Sequence, residues 1–427
     1  MRFLYNLFIQ LYFGAVSIAA IWNKKAAQWK TGRKHLFAEL EQTFLPSHSF
    51  EKKPQNIIWI HSASAGEFEQ AKPVIEALKK HFPEHKILVT FFSPSGYAVG
   101  KKFAPADFIF YLPLDTKTNA EKFVRIVQPK LVLFVKYDFW YHHLKIIHDK
   151  KIPLLLVSAI FRKDQAFFKW YGRFYFKMLR FFTQLFVQDE TSHGFLKKFG
   201  VNNCIIASDT RFDRVLMIAN KFQPVDFIKE FCGDKKIIVA GSTWPDDEQL
   251  LQVAVKKISG TKLIIAPHEI TGAHLKNLTQ LFQNPILYSQ LKDIPEHELL
   301  KKLSDATVLL IDNVGMLSRL YHYATVTYIG GGFTRGIHNT LEAAVFGKPV
   351  IFGPNYKKFR EARALIAAGG AFSYSTEQGL EDKMKQLLTD AEALKKSSEA
   401  AADYVQNNAG ATKKIIDFIQ ENRLLTS

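Results

Sequence analysis

The fold is indicated first by the run NIIWIHSASAGE, which occupies residues 56–67. Residues 56–62 form a short stretch rich in β-branched and aromatic side chains, which is typical of a buried strand. Small residues follow, and residues 70–80 then show the periodicity of an amphipathic helix. A strand, a tight turn and a helix in this order form the unit from which parallel sheets with helices on both faces are built.

The same alternation continues along the chain in two sets. We predict a first set of strands at residues 56–62, 86–92, 108–112, 131–137, 154–160 and 184–188, and a second set at 236–240, 263–266, 307–311, 326–329 and 349–352. Between the sets, from residue 209 to residue 234, the pattern weakens. We therefore predict two Rossmann-like, doubly wound α/β domains, residues 36–220 and 221–427, facing a cleft at the carboxyl ends of both sheets.

The N-terminal segment has a different character. Residues 3–22 carry no charge, and five basic residues follow at positions 24, 25, 30, 33 and 34. Such a helix would be about 30 Å long, close to the thickness of a bilayer core. We predict that residues 1–35 form a membrane anchor, either crossing the bilayer or lying in its plane, because Asn6, Gln10 and Ser17 dilute the apolar run. A cleaved signal peptide and a buried core helix are the alternatives.

Composition narrows the class of protein. With 427 residues, the chain is too long for one ordinary domain, and 47% apolar with 23% charged residues excludes a disordered or polytopic protein. Its 57 basic and 40 acidic residues give a net charge of +17, which favours a polyanionic neighbour such as nucleic acid, an anionic membrane or a phosphorylated substrate. Two cysteines are too few for a disulfide framework, so we expect a reducing compartment.

The turn after the first strand is a candidate for chemistry. Ser64, Gly66 and Glu67 lie where small residues let a ligand approach the backbone and where a helix start favours an anion. The spacing of Ser64 and Glu67 equally fits a capping box, in which Glu67 only bonds back to the chain. Both interpretations fit the residues.

The second domain contains the run GGGFTRGIHNTLE at residues 330–342. Glycines between a strand and a helix let backbone amides reach phosphate oxygens, and Glu342 could accept hydrogen bonds from ribose hydroxyls. The spacing matches neither the dinucleotide fingerprint nor the P-loop. A plain glycine-rich turn with Asn339 as a helix cap is the alternative.

Two further patterns bear on partners and metals. Residues 161–182 hold ten aromatic and six basic residues against one acid, which fits a membrane interface, nucleic-acid stacking, or a core helix with long cations at its rim. The sequence has no Asp-x-Asp motif, and its 14 histidines show no paired ligand spacing. We therefore predict that no metal is required.

Taken together, these residues resemble the 3-deoxy-D-manno-octulosonic acid (Kdo) transferases of lipid A biosynthesis, a family of membrane-anchored, two-domain GT-B glycosyltransferases. The resemblance covers nearly the whole chain. It is carried by the basic stretch behind a hydrophobic N-terminus and by HSASAGE at 61–67, SPSG at 93–96, LPLD at 112–115, DTRFD at 209–213, GST at 241–243, GG at 331–332, HNTLEAA at 338–344 and GP at 353–354.

The resemblance implies transfer of Kdo from CMP-Kdo to a lipid A precursor of the lipid IVA type, with inversion and without a cofactor. It implies that Glu67 is the general base. It places the protein on the cytoplasmic face of the inner membrane, among anionic lipids and without nucleic acid. The implied CMP-sugar site consists of Ser242, Thr243, His268, Gly331, Gly332, His338, Asn339 and Glu342. The implied acceptor side or cleft consists of Ser64, Gly66, Lys136, Asp138 and Arg211.

The chain departs from the family pattern at three positions. A Pro-Arg-His run reads Ala266-Pro267-His268, a frequent glutamate is Lys136, and the glycine before the histidine is Ile337. Two rival classes share part of the pattern. Another GT-B lipid glycosyltransferase or a sugar-nucleotide epimerase would share both domains, and a non-enzymatic protein that binds membranes or nucleic acid would share the basic charge.

Overall fold

The computed structural model describes residues 1–45 and 56–425, and these divide into two compact units. The first unit contains Met1–Arg214 together with the chain that follows Asn408, and the second contains Val215–Asn408. These units differ from the predicted domains in one main respect, because the last helix packs in the first unit and not in the second.

The first unit is built from seven strands and eleven helices in the described residues. Its strands are β1 Ile57–Ser62, β2 Lys86–Phe91, β3 Phe108–Tyr111, β4 Leu131–Val135, β5 Leu154–Ala159, β6 Gln184–Val187 and β7 Cys204–Ile206. Its helices are α1 Arg2–Ala19, α2 Lys24–Thr31, α3 Leu36–Phe44, α4 Ala65–His81, α5 Pro94–Gly100, α6 Lys117–Val127, α7 Tyr141–Asp149, α8 Arg173–Leu179, α9 Glu190–Lys198, α10 Thr210–Asn220, which runs across the unit boundary, and the last helix of the chain, α20 Ala411–Glu421.

The second unit repeats the architecture. Its strands are β8 Lys236–Thr243, β9 Thr261–Pro267, β10 Pro285–Leu287, β11 Val308–Leu310, β12 Val326–Ile329, β13 Val350–Phe352 and β14 Ala371–Ser373. Its helices are α11 Ile228–Cys232, α12 Pro245–Lys256, α13 Gly272–Leu281, α14 Glu296–Asp305, α15 Leu317–Leu320, α16 Leu341–Ala344, α17 Arg360–Ala367, α18 Glu377–Thr389 and α19 Ala391–Asn407.

All the strands in each sheet run parallel. In each sheet, the order in which successive strands are added changes direction once. The first has the strand order β3-β2-β1-β4-β5-β6-β7, and the second has the order β10-β11-β9-β8-β12-β13-β14. The order reverses between β1 and β4 in the first sheet and between β8 and β12 in the second. In open α/β sheets, a crevice opens at such a switch point, outside the carboxyl ends of the strands.

Each face of the first sheet is covered by its own apolar core. Ile57 and Trp59 of β1 pack in one core, whereas Ile58 and Ile60 pack in the other. Strands that are buried on both faces read as continuous apolar runs, which explains why β1 lacks the alternation of a half-exposed strand. The helix α20 contributes Ile415 and its neighbours to the second of these cores.

The N-terminal helix α1 docks on the first unit by one side only. The hydroxyl of Tyr5 donates a hydrogen bond to the buried carboxylate of Asp115, Asn6 Oδ1 lies 2.7 Å from His142 Nε2, and Ile9 is buried. The other side is apolar and exposed; it includes Phe3, Leu4, Phe8 and Leu11. Over residues 1–45 and 56–425, no helix has both the length and the apolar character to cross a membrane.

Candidate active site

In the first unit, the switch point lies between the carboxyl ends of β1 and β4. The run 61–67 leaves β1 at this point, and Lys136, Tyr137 and Asp138 leave β4 beside it. Lys136 has a positive φ of 63°, a conformation that is uncommon for a residue with a side chain. The candidate residues that follow β1 and those that follow β4 are therefore neighbours at the carboxyl ends of the two strands.

Glu67 lies in the first turn of α4 and is half-buried. Ser64 is the N-cap of this helix, since its Oγ accepts a hydrogen bond of 3.2 Å from the amide of Gly66. The Ser64 hydroxyl in turn donates to Glu67 Oε2. In a capping box, the glutamate would accept from the N-cap amide. Here Glu67 accepts from the cap hydroxyl, so Ser64 caps the helix and also orients the carboxylate.

A buried histidine ties the two strands of the switch point together. His61 is fully buried, with Nδ1 2.9 Å from Thr90 Oγ1 and Nε2 2.9 Å from Asp138 Oδ2. The indole of Trp140 donates a further bond of 3.2 Å to the same carboxylate oxygen. Asp138 is thus held by two partners and cannot swing freely at the mouth of the crevice.

Opposite charges surround Tyr137 at the same edge. Burial raises the pKa of Tyr137, the positive charge of Arg162 opposes this shift, and the charges of Asp209, Arg211 and Glu67 also act on it. The backbone amide and Nε of Arg211 donate to the carboxylate of Asp209 at 2.9 and 3.0 Å. Glu67 and Arg211, which lie 144 positions apart in the sequence, are therefore within electrostatic reach of one tyrosine.

In the second unit, the corresponding point lies between β8 and β12. The amide of Gly330 donates a 2.9 Å bond to the carbonyl of Gly241, so the GST run and the glycine run leave adjacent strands together. Ser242 has a positive φ of 54°, and the pairing register of β8 shifts between Gly241 and Thr243. Backbone outliers of this kind cluster at ligand sites, where the surrounding structure maintains them.

Asp247, in the first turn of α12, connects these two loops. Its Oδ2 accepts hydrogen bonds from the amides of Trp244 at 3.0 Å and Gly331 at 2.8 Å, and its Oδ1 accepts from the Tyr328 hydroxyl at 2.6 Å. Burial raises the pKa of Asp247, and the three donors act against this shift. Because the amide of Gly331 already has a partner, it is not available to a phosphate, contrary to our expectation for this glycine.

Backbone conformation and close packing also explain why glycine occupies positions 331 and 332. Gly331 has a φ of +88°, and a Cβ on Gly332 would lie 2.5 Å from the backbone of Gly353. The close approach of Gly332 and Gly353 joins the ends of β12 and β13. A side chain at position 332 would therefore disturb the loop even without a ligand.

Three rings form a stack at the same edge. The rings of Trp244 and His268 lie 4.7 Å apart and nearly parallel, and those of His268 and His338 lie 4.5 Å apart. Burial lowers the pKa of His338, and the neighbouring charge of His268 lowers it further. His338 is therefore neutral near pH 7, and it can donate one hydrogen bond and accept another.

Asn339 and Glu342 form a local pair. Asn339 Nδ2 donates to Glu342 Oε1 at 2.9 Å, and Asn339 Oδ1 accepts from the amide of Leu341 at 3.1 Å. The helix they start, α16, has only four residues, so its dipole is small. Thr340, and not Asn339, is the N-cap of this helix, and it makes no side-chain capping bond, so the alternative in which Asn339 is a helix cap is wrong. The expected field of a long helix is also not present.

The side chain of Thr243 is held by a chain of two hydrogen bonds. Its hydroxyl donates to Glu248 Oε1 at 2.8 Å, and Glu248 Oε2 lies 2.8 Å from His274 Nε2. Burial alone would lower the pKa of His274, but its bonds to Glu248 and to the carbonyl of Glu269 raise it overall. His274 therefore keeps a positive charge to higher pH than an ordinary histidine, and it neutralises Glu248.

Sequence reasoning missed several residues at these edges. Tyr137 feels the charges of Arg162 and Glu67, and His61 lies 2.9 Å from Asp138. In the second unit, Asp247 bonds the amides of Gly331 and Trp244. Each of these residues lies at or shortly after the carboxyl end of a strand, and this position in the sequence could have identified them as candidates. Among the described residues, no three His, Cys, Asp or Glu side chains are grouped to hold a metal ion.

Comparison with known proteins shows which family the sequence is similar to. Residues 38–214 match a family model described as 3-deoxy-D-manno-octulosonic-acid transferase (kdotransferase). A 3-deoxy-D-manno-octulosonic acid transferase of Aquifex aeolicus is 28% identical over 379 residues, covering 86% of this chain and 97% of that protein. The protein of the same name in Rickettsia felis is 26% identical over 373 residues, covering 85% and 78%.

A solved structure supports the fold. The putative UDP-N-acetylglucosamine 2-epimerase of Listeria monocytogenes superposes with a TM-score of 0.60 and covers 87% of this chain and 98% of its own, at 14% sequence identity. At this identity the likeness concerns the fold alone, which is the predicted two-domain α/β GT-B fold. The resemblance to the Kdo transferases is confirmed by the relatives, and the chain is a glycosyltransferase enzyme.

Proposed function

We propose that the chain transfers Kdo from CMP-Kdo to the glucosamine disaccharide of a lipid A precursor, with inversion at the anomeric carbon. The observation that carries this proposal is the position of Glu67 in the first turn of α4, at the switch point of the first sheet. A ligand reaches such a position in parallel α/β folds. The related proteins are named as transferases of 3-deoxy-D-manno-octulosonic acid, and the CMP-Kdo donor and the lipid acceptor are those that the sequence resemblance implies.

In the proposed reaction, Glu67 acts as the general base. An acceptor hydroxyl loses its proton to the carboxylate while its oxygen attacks the anomeric carbon of Kdo. The bond from that carbon to the CMP phosphate oxygen breaks, and CMP leaves with the electron pair. The hydroxyl of Ser64 orients the carboxylate, while Arg211 and Lys136 supply positive charge on the acceptor side.

The donor is proposed to bind at the switch point of the second sheet. Glu342 would accept hydrogen bonds from the ribose hydroxyls, and Asn339 would hold its carboxylate in place. The phosphate would be held by Ser242, His338 and His268, since the Gly331 amide is occupied by Asp247. Donors placed before the reaction at the point where leaving-group charge develops lower the barrier.

The proposed acceptor is a lipid, and the first unit has a surface suited to a membrane. The exposed side of α1 is apolar, and Trp170 and Tyr171 are exposed near the basic residues of α8. An in-plane helix can bury such a side in the interface while cations meet anionic headgroups. We therefore propose that the protein lies on the cytoplasmic face of the inner membrane, with residues 36–220 binding the acceptor and residues 221–427 the CMP-sugar.

The proposal is tested by incubating the purified protein with CMP-Kdo and a tetraacylated lipid A precursor. We expect the mass of the lipid to increase by one or more Kdo units as CMP is released. Glu67→Gln should turn over at least about a hundredfold more slowly, with unchanged affinity for CMP. Glu69→Gln, on the same helix, serves as the matched control and should stay near the parent rate. Near-normal turnover of Glu67→Gln would refute the general-base role.

A further inference from the structure

A cavity of about 860 Å³ lies in the first unit, apart from the switch point. It is bordered by α7, α8 and the start of α1, and its wall contains six phenylalanines and Trp170. Four of these phenylalanines are partly buried and pack against a core of the first sheet, namely Phe167, Phe168, Phe174 and Phe176. The space is therefore mainly apolar and open at one side to solvent.

Four cations border the same cavity, namely Lys169, Arg173, Lys177 and Arg180, and none of its described lining residues is acidic. All four side chains are exposed. Within the part of the chain that the structure describes, none of them forms an ion pair with a carboxylate. An apolar space with cations at its rim is complementary to a lipid that has both an acyl chain and a phosphate group.

A contact between two rings links the wall of the cavity to the chain that follows β4. The ring of Phe167, in its wall, lies 4.8 Å from the ring of Phe139. Phe139 follows Asp138, which bonds His61 at the end of β1. The wall of the cavity and the end of β1 are therefore connected by packed side chains within one unit.

We propose that this cavity binds one acyl chain of the phosphorylated lipid acceptor, with the four cations contacting its phosphate. The proposal rests on the proposed function for the identity of the acceptor, but the cavity can be tested separately. A chain held here would add affinity without taking part in the bond that forms. It would also make the enzyme select acylated over deacylated acceptors.

The first test is calorimetric titration of the full chain with dodecyl phosphate below its micellar concentration, and with butyl phosphate. We expect one molecule of dodecyl phosphate to bind, and affinity to rise about fourfold for each methylene added between butyl and dodecyl. Equal affinity for the two phosphates, or no binding of either, would overturn the proposal.

The second test uses variants of the cavity wall. Phe199→Asp places an acid at a position that is 41% exposed, and we expect it to weaken dodecyl phosphate binding at least about tenfold. Leu300→Asp makes the same charge change at a position 66% exposed in the second unit, and should leave binding unchanged. Lys177→Gln, at an exposed position, should weaken binding of the phosphate without a risk to folding. Unchanged binding in both cavity variants would overturn the assignment.

The third test separates the acceptor from membrane lipid. Lipid A precursor should displace dodecyl phosphate, whereas phosphatidylglycerol vesicles at the same lipid concentration should not. Displacement by the vesicles alone would make the cavity a membrane contact and overturn its role in acceptor binding. If Kdo transfer fails while the precursor still displaces dodecyl phosphate, the proposed function is wrong and the cavity assignment stands.

Discussion

Replacing Asp247 should destabilise the second unit and its glycine run, and the size of this effect follows from three hydrogen bonds. The carboxylate accepts from two backbone amides, of Trp244 and Gly331, and from the Tyr328 hydroxyl, and the residue is 1% exposed. In Asp247→Ala, three buried donors lose their acceptor, at about 1 to 3 kcal/mol each. Release of the buried charge offsets part of this cost, so we expect a loss of about 3 to 5 kcal/mol.

Two comparison variants make this expectation specific. Tyr328→Phe keeps both amide bonds and should lose only about 1.5 to 3 kcal/mol. Asp246→Ala changes the exposed neighbour on the same helix and should stay within about 0.5 kcal/mol of the parent.

The measurement combines two observables. Urea denaturation gives the stability of the unit, and hydrogen exchange of residues 326–334 gives the protection of the Gly331 amide. In Asp247→Ala, we expect this amide to exchange at least about tenfold faster, with a matching loss of CMP affinity. If Asp247→Ala and Asp246→Ala have the same stability and the same exchange at Gly331, the carboxylate does not hold the loop and the reasoning is refuted.

Three further changes have expected outcomes. In the folded protein, the pKa of His274 is raised above its ordinary value of 6.5. The bond to Glu248 therefore contributes its full stability below pH 6.5, and this stability is lost as the pH rises through the pKa of the folded state. We expect His274→Gln to lower the melting temperature more near pH 6 than near pH 9. Gly332→Ala forces a Cβ within 2.5 Å of Gly353 and should cost about 1 to 3 kcal/mol in thermal unfolding, whereas Gly272→Ala, with no atom within 4 Å, should not. Kdo transfer should continue in EDTA, because the sequence has no Asp-x-Asp motif to hold a metal against the donor; activity that disappears and returns with magnesium would contradict this.

All the central strands and one edge strand, β3, could be predicted from the sequence, and the other three edge strands could not. All eleven predicted strands are present, because strands buried on both faces read as long apolar runs between turn residues. The three that were missed, β7, β10 and β14, are three residues long and each lies at the edge of its sheet. Length alone is not the reason, because β11 and β13 are also three residues long and were predicted. Those two strands are fully buried, whereas β7, β10 and β14 are partly exposed and therefore lack a continuous buried apolar run.

The candidate site was predictable where a local pattern carried it. Ser64 and Glu67 were found because turn chemistry acts over a few residues, and the structure adds that the cap hydroxyl bonds the glutamate. Asp247 was missed because its role depends on Gly331, which lies 84 positions away. Contacts of that length are created by the sheet order, which no local window of sequence contains.

The helix α20 has a consequence for the order in which the chain is made. It completes a core of the first unit, yet it is synthesised after the whole of the second. Translation at about 5 to 20 residues per second separates Arg214 from α20 by roughly 10 to 40 s. During that interval, the sequence of the second unit is completed. One face of the first sheet still lacks the helix that covers part of its apolar core. The part of the protein that begins first on the ribosome is thus completed last, and its apolar surface is the one that a chaperone would meet.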